Sequence, residues 1–204
     1  SNGPNRRVLQ ANNSRSIARP RSALSPADGP CYDVGRNEAP TEQSSGRTVT
    51  VPTDEQDQAF MRVALEEAAR APAIGEVPIA AVVVREGKIL AQAHNYRELW
   101  QDPTAHAEVI AIRAAATALG TWRLTVTTLY VTVEPCAMCL GAIILARIPR
   151  VVFGAKDPKA GACGSVFDFT DEPKLNHRVE VRGGILDQES QALIQHFFRQ
   201  LRAG

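Results

Sequence analysis

The chain has 204 residues, enough for one domain with a real core plus a tail. Lys and Arg number 23, Asp and Glu 22, for a net charge of +1 that neither requires nor forbids a nucleic-acid partner. Residues 1–52 hold seven Arg and four acids, which leaves 16 basic and 18 acidic residues in 53–204 and excludes the overall basic footprint of a duplex-coating protein.

Four cysteines occur, Cys31, Cys136, Cys139 and Cys163. Two form a metal-type pair, one lies in the tail and one in a Gly-rich loop. This is not a disulfide framework and fits a reducing compartment. There is no apolar run of about 18 residues and no secretory-signal pattern, so the expectation is a cytoplasmic protein without a membrane partner.

Residues 1–52 are rich in Ser, Asn, Arg, Pro and Gly without periodicity, and read as a disordered extension preceding a domain at 53–204. Their first 27 residues carry five Arg and no acid, as in a transit peptide, but show no clean amphipathic helix. Thr53 or Asp54 caps a helix predicted to about Arg70, with Phe60, Val63, Ala64, Leu65 and Ala68 as its stripe. The apolar run Pro78–Val84 predicts a buried strand. A turn at Glu86-Gly87-Lys88 returns it as a second strand, Ile89–Asn95. A helix follows from about Ala105 to Leu119, ended by Gly120.

A third strand, Leu129–Val133, runs straight into Glu134-Pro135-Cys136. The helix predicted from there to about Arg147 is apolar nearly all round and is expected to be buried against a sheet. Arg150–Gly154 is a fourth strand, 155–178 is loop-rich, Val179–Val181 a short fifth strand, and Asp187–Arg202 a final helix. Strands alternating with helices after an opening hairpin predict an α/β fold: three α/β/α layers around a mixed, mostly parallel five-stranded sheet with helices on both faces.

The chemistry concentrates in Pro135-Cys136-Ala137-Met138-Cys139 and, upstream, His106-Ala107-Glu108. Proline suits the first turn of a helix. Residues three apart share a helix face, so both sulfurs can reach one ion. The positive helix N-terminus favours thiolate. One His and two Cys make a three-ligand zinc site with an open position, the pattern of a catalytic zinc. Such an ion lowers the pKa of a water toward about 7. Glu108 is the candidate proton carrier. Since residues two apart do not share a helix face, the geometry requires the ion to lie across the end of the helix. Cys163 is the one plausible fourth ligand. Alone, each half of the motif has bland readings, a redox Cys pair or half a structural zinc site. In this order, each at a helix start, they match the signature of zinc nucleobase deaminases.

The stretch from about Asp54 to Arg202 resembles the cytidine-deaminase-like superfamily, and more narrowly the bacterial tRNA-specific adenosine deaminases. The resemblance rests on Gly75-Glu76-Val77-Pro78, Asp102-Pro103-Thr104-Ala105-His106-Ala107-Glu108 and Leu129 through Cys139. Downstream it adds Gly154 through Ala162, Gly164-Ser165, Leu175-Asn176-His177 and Phe197-Phe198-Arg199. It implies a cytidine-deaminase-like fold and conversion of adenosine to inosine at the wobble position of a tRNA anticodon. It implies one Zn2+ per subunit on His106, Cys136 and Cys139, with Glu108 moving protons to N1 and the leaving amine. It further implies that Asn95 contacts the target nucleotide, that Glu76, Val77 and Val133 line the base pocket, and that Asp157, Lys159, Phe198 and Arg199 lie near the RNA. The implied partners are a tRNA anticodon stem-loop and a second copy of the chain in a homodimer.

Simpler readings stand beside these. Phe197 and Phe198 also read as packing, Asp157 as an Asx-turn, Lys159 as a solvated charge and Asn95 as a strand-end turn residue. A deaminase of free guanine or cytosine would share the metal chemistry. So would the zinc site of a non-catalytic RNA-binding protein, which has no use for Glu108.

Overall fold

The computed structural model describes residues 52–203. The extension read at 1–52 therefore lies, except for Pro52, outside the described residues. Helix α1 (Asp54–Ala68) opens with a capping box in which Thr53 accepts from the Gln56 backbone and the Gln56 side chain accepts from the Thr53 backbone. Its buried face is Asp57, Met61, Ala64, Glu67 and Ala68. The expected stripe is rotated, with Phe60, Val63 and Leu65 on its flank, because two acids on the inner face have buried partners.

Strands β1 (Ala80–Arg85) and β2 (Lys88–His94) form the hairpin, followed by a short helix α2 (Arg97–Trp100) that periodicity does not announce. Helix α3 (Ala107–Leu119) stops at Gly120. Strand β3 (Thr127–Val133) feeds α4 (Ala137–Leu145), and β4 (Arg150–Ala155), β5 (Glu180–Arg182) and α5 (Asp187–Ala203) complete the described residues.

The five strands lie in the order β2-β1-β3-β4-β5. β1 is antiparallel to β2 and β3, while β3, β4 and β5 are parallel neighbours. Every strand but β1 thus runs the same way, as the mostly parallel reading expects. Alternation along the strands sends Ala81, Val83, Leu129, Val131, Val151 and Phe153 to one face, where α3 and α4 cover them. Val82, Val84, Tyr130 and Val152 go to the other, under Met61 and Ala64 of α1. Helix α5 closes that second face at Gly154, where an added Cβ would fall 2.2 Å from Ser190 Oγ; only glycine permits the approach.

Asp57 of α1 clamps the second layer. It receives both guanidinium nitrogens of Arg150 at 2.9 and 2.8 Å, Arg182 at 2.7 Å and the Tyr130 hydroxyl at 2.9 Å. Burial opposes its charge, but the hydrogen bonds from Arg150 and Tyr130 hold its carboxyl below the ordinary value. Helix α4 is buried only on the side of Cys139, Leu140, Ile143 and Ile144, while Leu145 is 72% exposed and Met138 37%. The helix is thus buried against the sheet, as its apolar composition predicts, while Met138 and Leu145 on its outer side are exposed. No helix of the described residues is long and apolar enough to cross a membrane.

Candidate active site

Both halves of the motif sit at helix N-termini facing the same end of the sheet. His106 is the N-cap residue of α3, in extended backbone (φ −78°, ψ 149°). Cys136 is the N-cap residue of α4 (φ −74°, ψ 172°). Neither side chain caps its own helix. They meet instead: His106 Nδ1 lies 3.8 Å from Cys136 Sγ and 3.5 Å from Cys139 Sγ. The three donor atoms all fall within 4.8 Å of one another, and among the described residues no fourth His, Cys, Asp or Glu joins the group. Two soft sulfurs and one imidazole nitrogen suit zinc in a site with an open position.

Glu108 occupies the first turn of α3, 4% exposed. The spacing difficulty with His106 disappears because His106 precedes the helix, so its side chain is not bound to the helical periodicity. Burial, above all, pushes the Glu108 carboxyl up, and His106, Cys136 and Cys139 are the groups that act on it. Its Oε2 is buried with no hydrogen-bond partner among the described residues. An orphaned carboxylate oxygen beside a convergent N,S,S donor set fits a bound metal with a polar ligand in its open position.

The two thiols polarise each other. The hydrogen bond with Cys139, reinforced by His106, pulls the Cys136 thiol down to about 3 against the effect of burial. Cys139 moves the other way, through the hydrogen bond to Cys136 and its own burial. His106 is raised chiefly by its hydrogen bond to Cys136. Cys163 stays apart from the donor group: burial pushes its thiol up to about 12, and its backbone N–H is spent on Glu134.

Asn95 follows β2 and is 4% exposed; its Oδ1 accepts a 2.9 Å hydrogen bond from the Ala107 N–H, next to His106. Glu76 is buried and accepts from the Leu99 N–H at 2.9 Å, tying the Gly75–Pro78 turn to α2. Val77 is half-buried beside it, and Val133 ends β3 opposite Ala155 of β4. Asp157 forms the Asx-turn, its Oδ1 accepting from Lys159 N at 2.9 Å and Ala160 N at 3.2 Å. Lys159 is exposed. Phe198 and Arg199 lie exposed on α5, Phe198 edge-on to Phe197 at 5.3 Å, and no hydrogen bond or ring contact among the described residues joins them to the His106 group.

Sequence reading assigned no role to Glu134, the acid before Pro135. Its carboxylate accepts from three backbone N–H groups and the Ser165 hydroxyl, all in the loop after β4. The only local signal was its place beside the ligand turn.

A model of the MafB19-like deaminase family matches residues 55–202. The tRNA-specific adenosine deaminase of Bacillus subtilis (strain 168) is 50% identical over 147 residues, covering 72% of this chain and 91% of the relative. The chain belongs to the tRNA-specific adenosine deaminase family. Another member, from Haemophilus influenzae, is 48% identical over 147 residues, 72% of this chain and 85% of its own. A solved member, from studies of A-to-I editing by tRNA:A34 deaminases at the wobble position of transfer RNA, superposes with a TM-score of 0.64 at 45% identity, covering 66% of this chain and 98% of its own. The family match thus begins at the helix whose cap is Thr53 and takes in every element around His106.

Proposed function

We propose that this chain hydrolyses adenosine to inosine and ammonia at the wobble position of a tRNA anticodon, with one zinc ion held by His106, Cys136 and Cys139. The observation that carries the reading is the convergence of those three donor atoms within 4.8 Å beside the buried, unpartnered Oε2 of Glu108. A structural zinc, closed by four ligands, has no use for such a carboxylate.

Bound there, zinc supplies Lewis acidity that makes a water nucleophilic near neutral pH. Glu108 does the proton work. It takes a proton from the attacking water and delivers it to adenine N1 as C6 becomes tetrahedral, then takes the remaining proton of the new C6 hydroxyl and passes it to the amine, so that the C–N bond breaks, ammonia departs and the C6 carbonyl forms. Its burial suits that task, because a carboxyl of raised pKa both accepts and returns a proton. Asn95 orients the nucleotide. A backbone N–H only donates, so the Asn95 atom facing Ala107 is the oxygen, and the side-chain NH2 is left to donate to substrate. Glu76, Val77 and Val133 line the base pocket.

The RNA-facing surface comprises Asp157, Lys159, Phe198 and Arg199. A loop substrate with an extruded base matches a domain of no net basic charge, since unstacked nucleotides are read by pocket and stacking. The working unit is a homodimer, a reading supported by the exposed apolar Met138 and Leu145 on α4. The deaminase domain spans 53–204, behind an extension at 1–52, and acts in the cytoplasm, where anticodons are available.

The test is to incubate zinc-loaded protein with an anticodon stem-loop carrying adenosine at the wobble position and to score inosine and ammonia. Ammonia from free guanine or cytosine, with none from the stem-loop, refutes the reading.

A further inference from the structure

We infer that Glu134 is a positioning residue, one that fixes the substrate loop 156–165 to the turn bearing the metal ligands. The inference rests on the tRNA deaminase reading only for the substrate in its kinetic test.

Glu134 is 3% exposed and lies two residues before Cys136. Its own N–H donates to Ala155 O at 2.8 Å, which places the carboxylate beneath the loop leaving β4. Oε1 accepts from Cys163 N at 2.9 Å and Ser165 N at 3.1 Å. Oε2 accepts from Asp157 N at 3.1 Å and from the Ser165 hydroxyl. One buried carboxylate therefore satisfies donors at both ends of the loop. A charged acceptor strengthens each of these bonds, and the low-dielectric surroundings leave the donors no substitute.

A second observation points the same way. A Cβ on Gly161 would lie 2.5 Å from Glu134 Cδ and 2.6 Å from Asp157 O, so the loop backbone closes directly over the carboxylate. At that point the loop is also stitched to the ligand turn: Gly161 bridges Cys136, and Ala162 N donates to Pro135 O at 2.9 Å. Asp157 and Lys159 thus take their position from the same strand end that presents Cys136. Their place relative to the metal is set by Glu134, which touches neither metal nor substrate.

The probe is Glu134→Gln, which keeps the volume but sets an NH2 against a ring of donors. Ser165→Ala, which removes one donor and leaves the carboxylate, is the milder companion. Both are compared as zinc-loaded full-length enzymes with the anticodon stem-loop and by amide hydrogen exchange. For Glu134→Gln, zinc stays near one per chain, exchange at Asp157, Cys163 and Ser165 accelerates at least about tenfold, and kcat/KM falls about thirtyfold, mostly through KM. Ser165→Ala raises KM about threefold.

Unchanged exchange, or unchanged KM with full zinc, overturns the inference. If Glu134→Gln loses zinc or fails to fold, an unchanged KM in Ser165→Ala overturns it and a raised KM supports it. Should wild type form no inosine, the tRNA reading fails, while the exchange comparison still decides whether Glu134 holds the loop.

Discussion

The Asn95 side-chain oxygen accepts the N–H of Ala107 at 2.9 Å, joining the end of β2 to the first residue of α3 across twelve positions of chain. That bond fixes the amide with its oxygen toward Ala107, and in the proposed function leaves its NH2 for the substrate. Asn95→Asp keeps an oxygen for Ala107 but replaces the outward NH2 with a second oxygen. The expected result is a modestly lower melting temperature, because a buried amide gives way to an ionisable group, with kcat/KM on the stem-loop lower by about ten- to a hundredfold, the cost of a lost or reversed hydrogen bond. An unaltered kcat/KM would show that the NH2 makes no substrate contact.

Glu108→Gln separates chemistry from metal binding. The donor trio is untouched, so zinc stoichiometry stays the same. Inosine formation drops about a thousandfold or more, because the amide neither takes nor returns a proton. Stability rises by about 1 kcal/mol, since a buried ionisable group gives way to a neutral one of equal size. Metal analysis, single-turnover inosine assay and thermal denaturation read the three quantities on one sample.

Loss of the proposed zinc is expected to act on the fold. Cys136→Ala removes the N-cap sulfur and is expected to abolish stoichiometric zinc. A chelator should produce the same state in wild type. With free zinc about a hundredfold above its Kd, linkage contributes about 2.7 kcal/mol, so stripping it lowers the melting temperature by roughly 5–10 °C for a domain of this size. If Cys136→Ala keeps one zinc per chain, the ligand assignment is wrong.

On the other face of the sheet, Asp57 is expected to govern stability and its dependence on pH. Asp57→Asn takes the buried counter-charge from Arg150 and leaves it only the exposed Glu180 at 3.2 Å, and is expected to cost about 3 kcal/mol. The folded state holds Asp57 below its ordinary 3.8, so the unfolded chain binds that proton more readily. The contribution is complete above the unfolded value and disappears as pH falls through and below it. Urea denaturation of wild type and Asp57→Asn should therefore show a wide gap at pH 7 that narrows steadily below pH about 4. A gap of constant size would place the effect in packing alone.

The elements around the site were legible because each rests on a local rule. Thr53 or Asp54 announces α1, the run through Val84 announces β1, and Pro135 before two cysteines announces the start of α4. The role of Glu134 escapes, because its backbone N–H partners lie 23 to 31 positions along the chain. Glu134 reads as an acid at a strand end, and nothing in its neighbours reveals that its acceptors meet Asp157, Cys163 and Ser165. Asp57 and Glu67 escape for a related reason: an apolar stripe announces the helix, and both acids lie on the buried face with partners on distant elements, Arg150 and His94.

Ligand type, ligand spacing and the helix starts that favour thiolate are contained in the order of residues, because they depend on neighbours within one turn. Only the packed sheet brings His106 to Cys136 across 30 positions, or Arg182 to Asp57 across 125. Those encounters follow from strand order and from which helices cover each face. The hydrophobic burial that drives such packing is non-directional, so it leaves no motif to read along the chain.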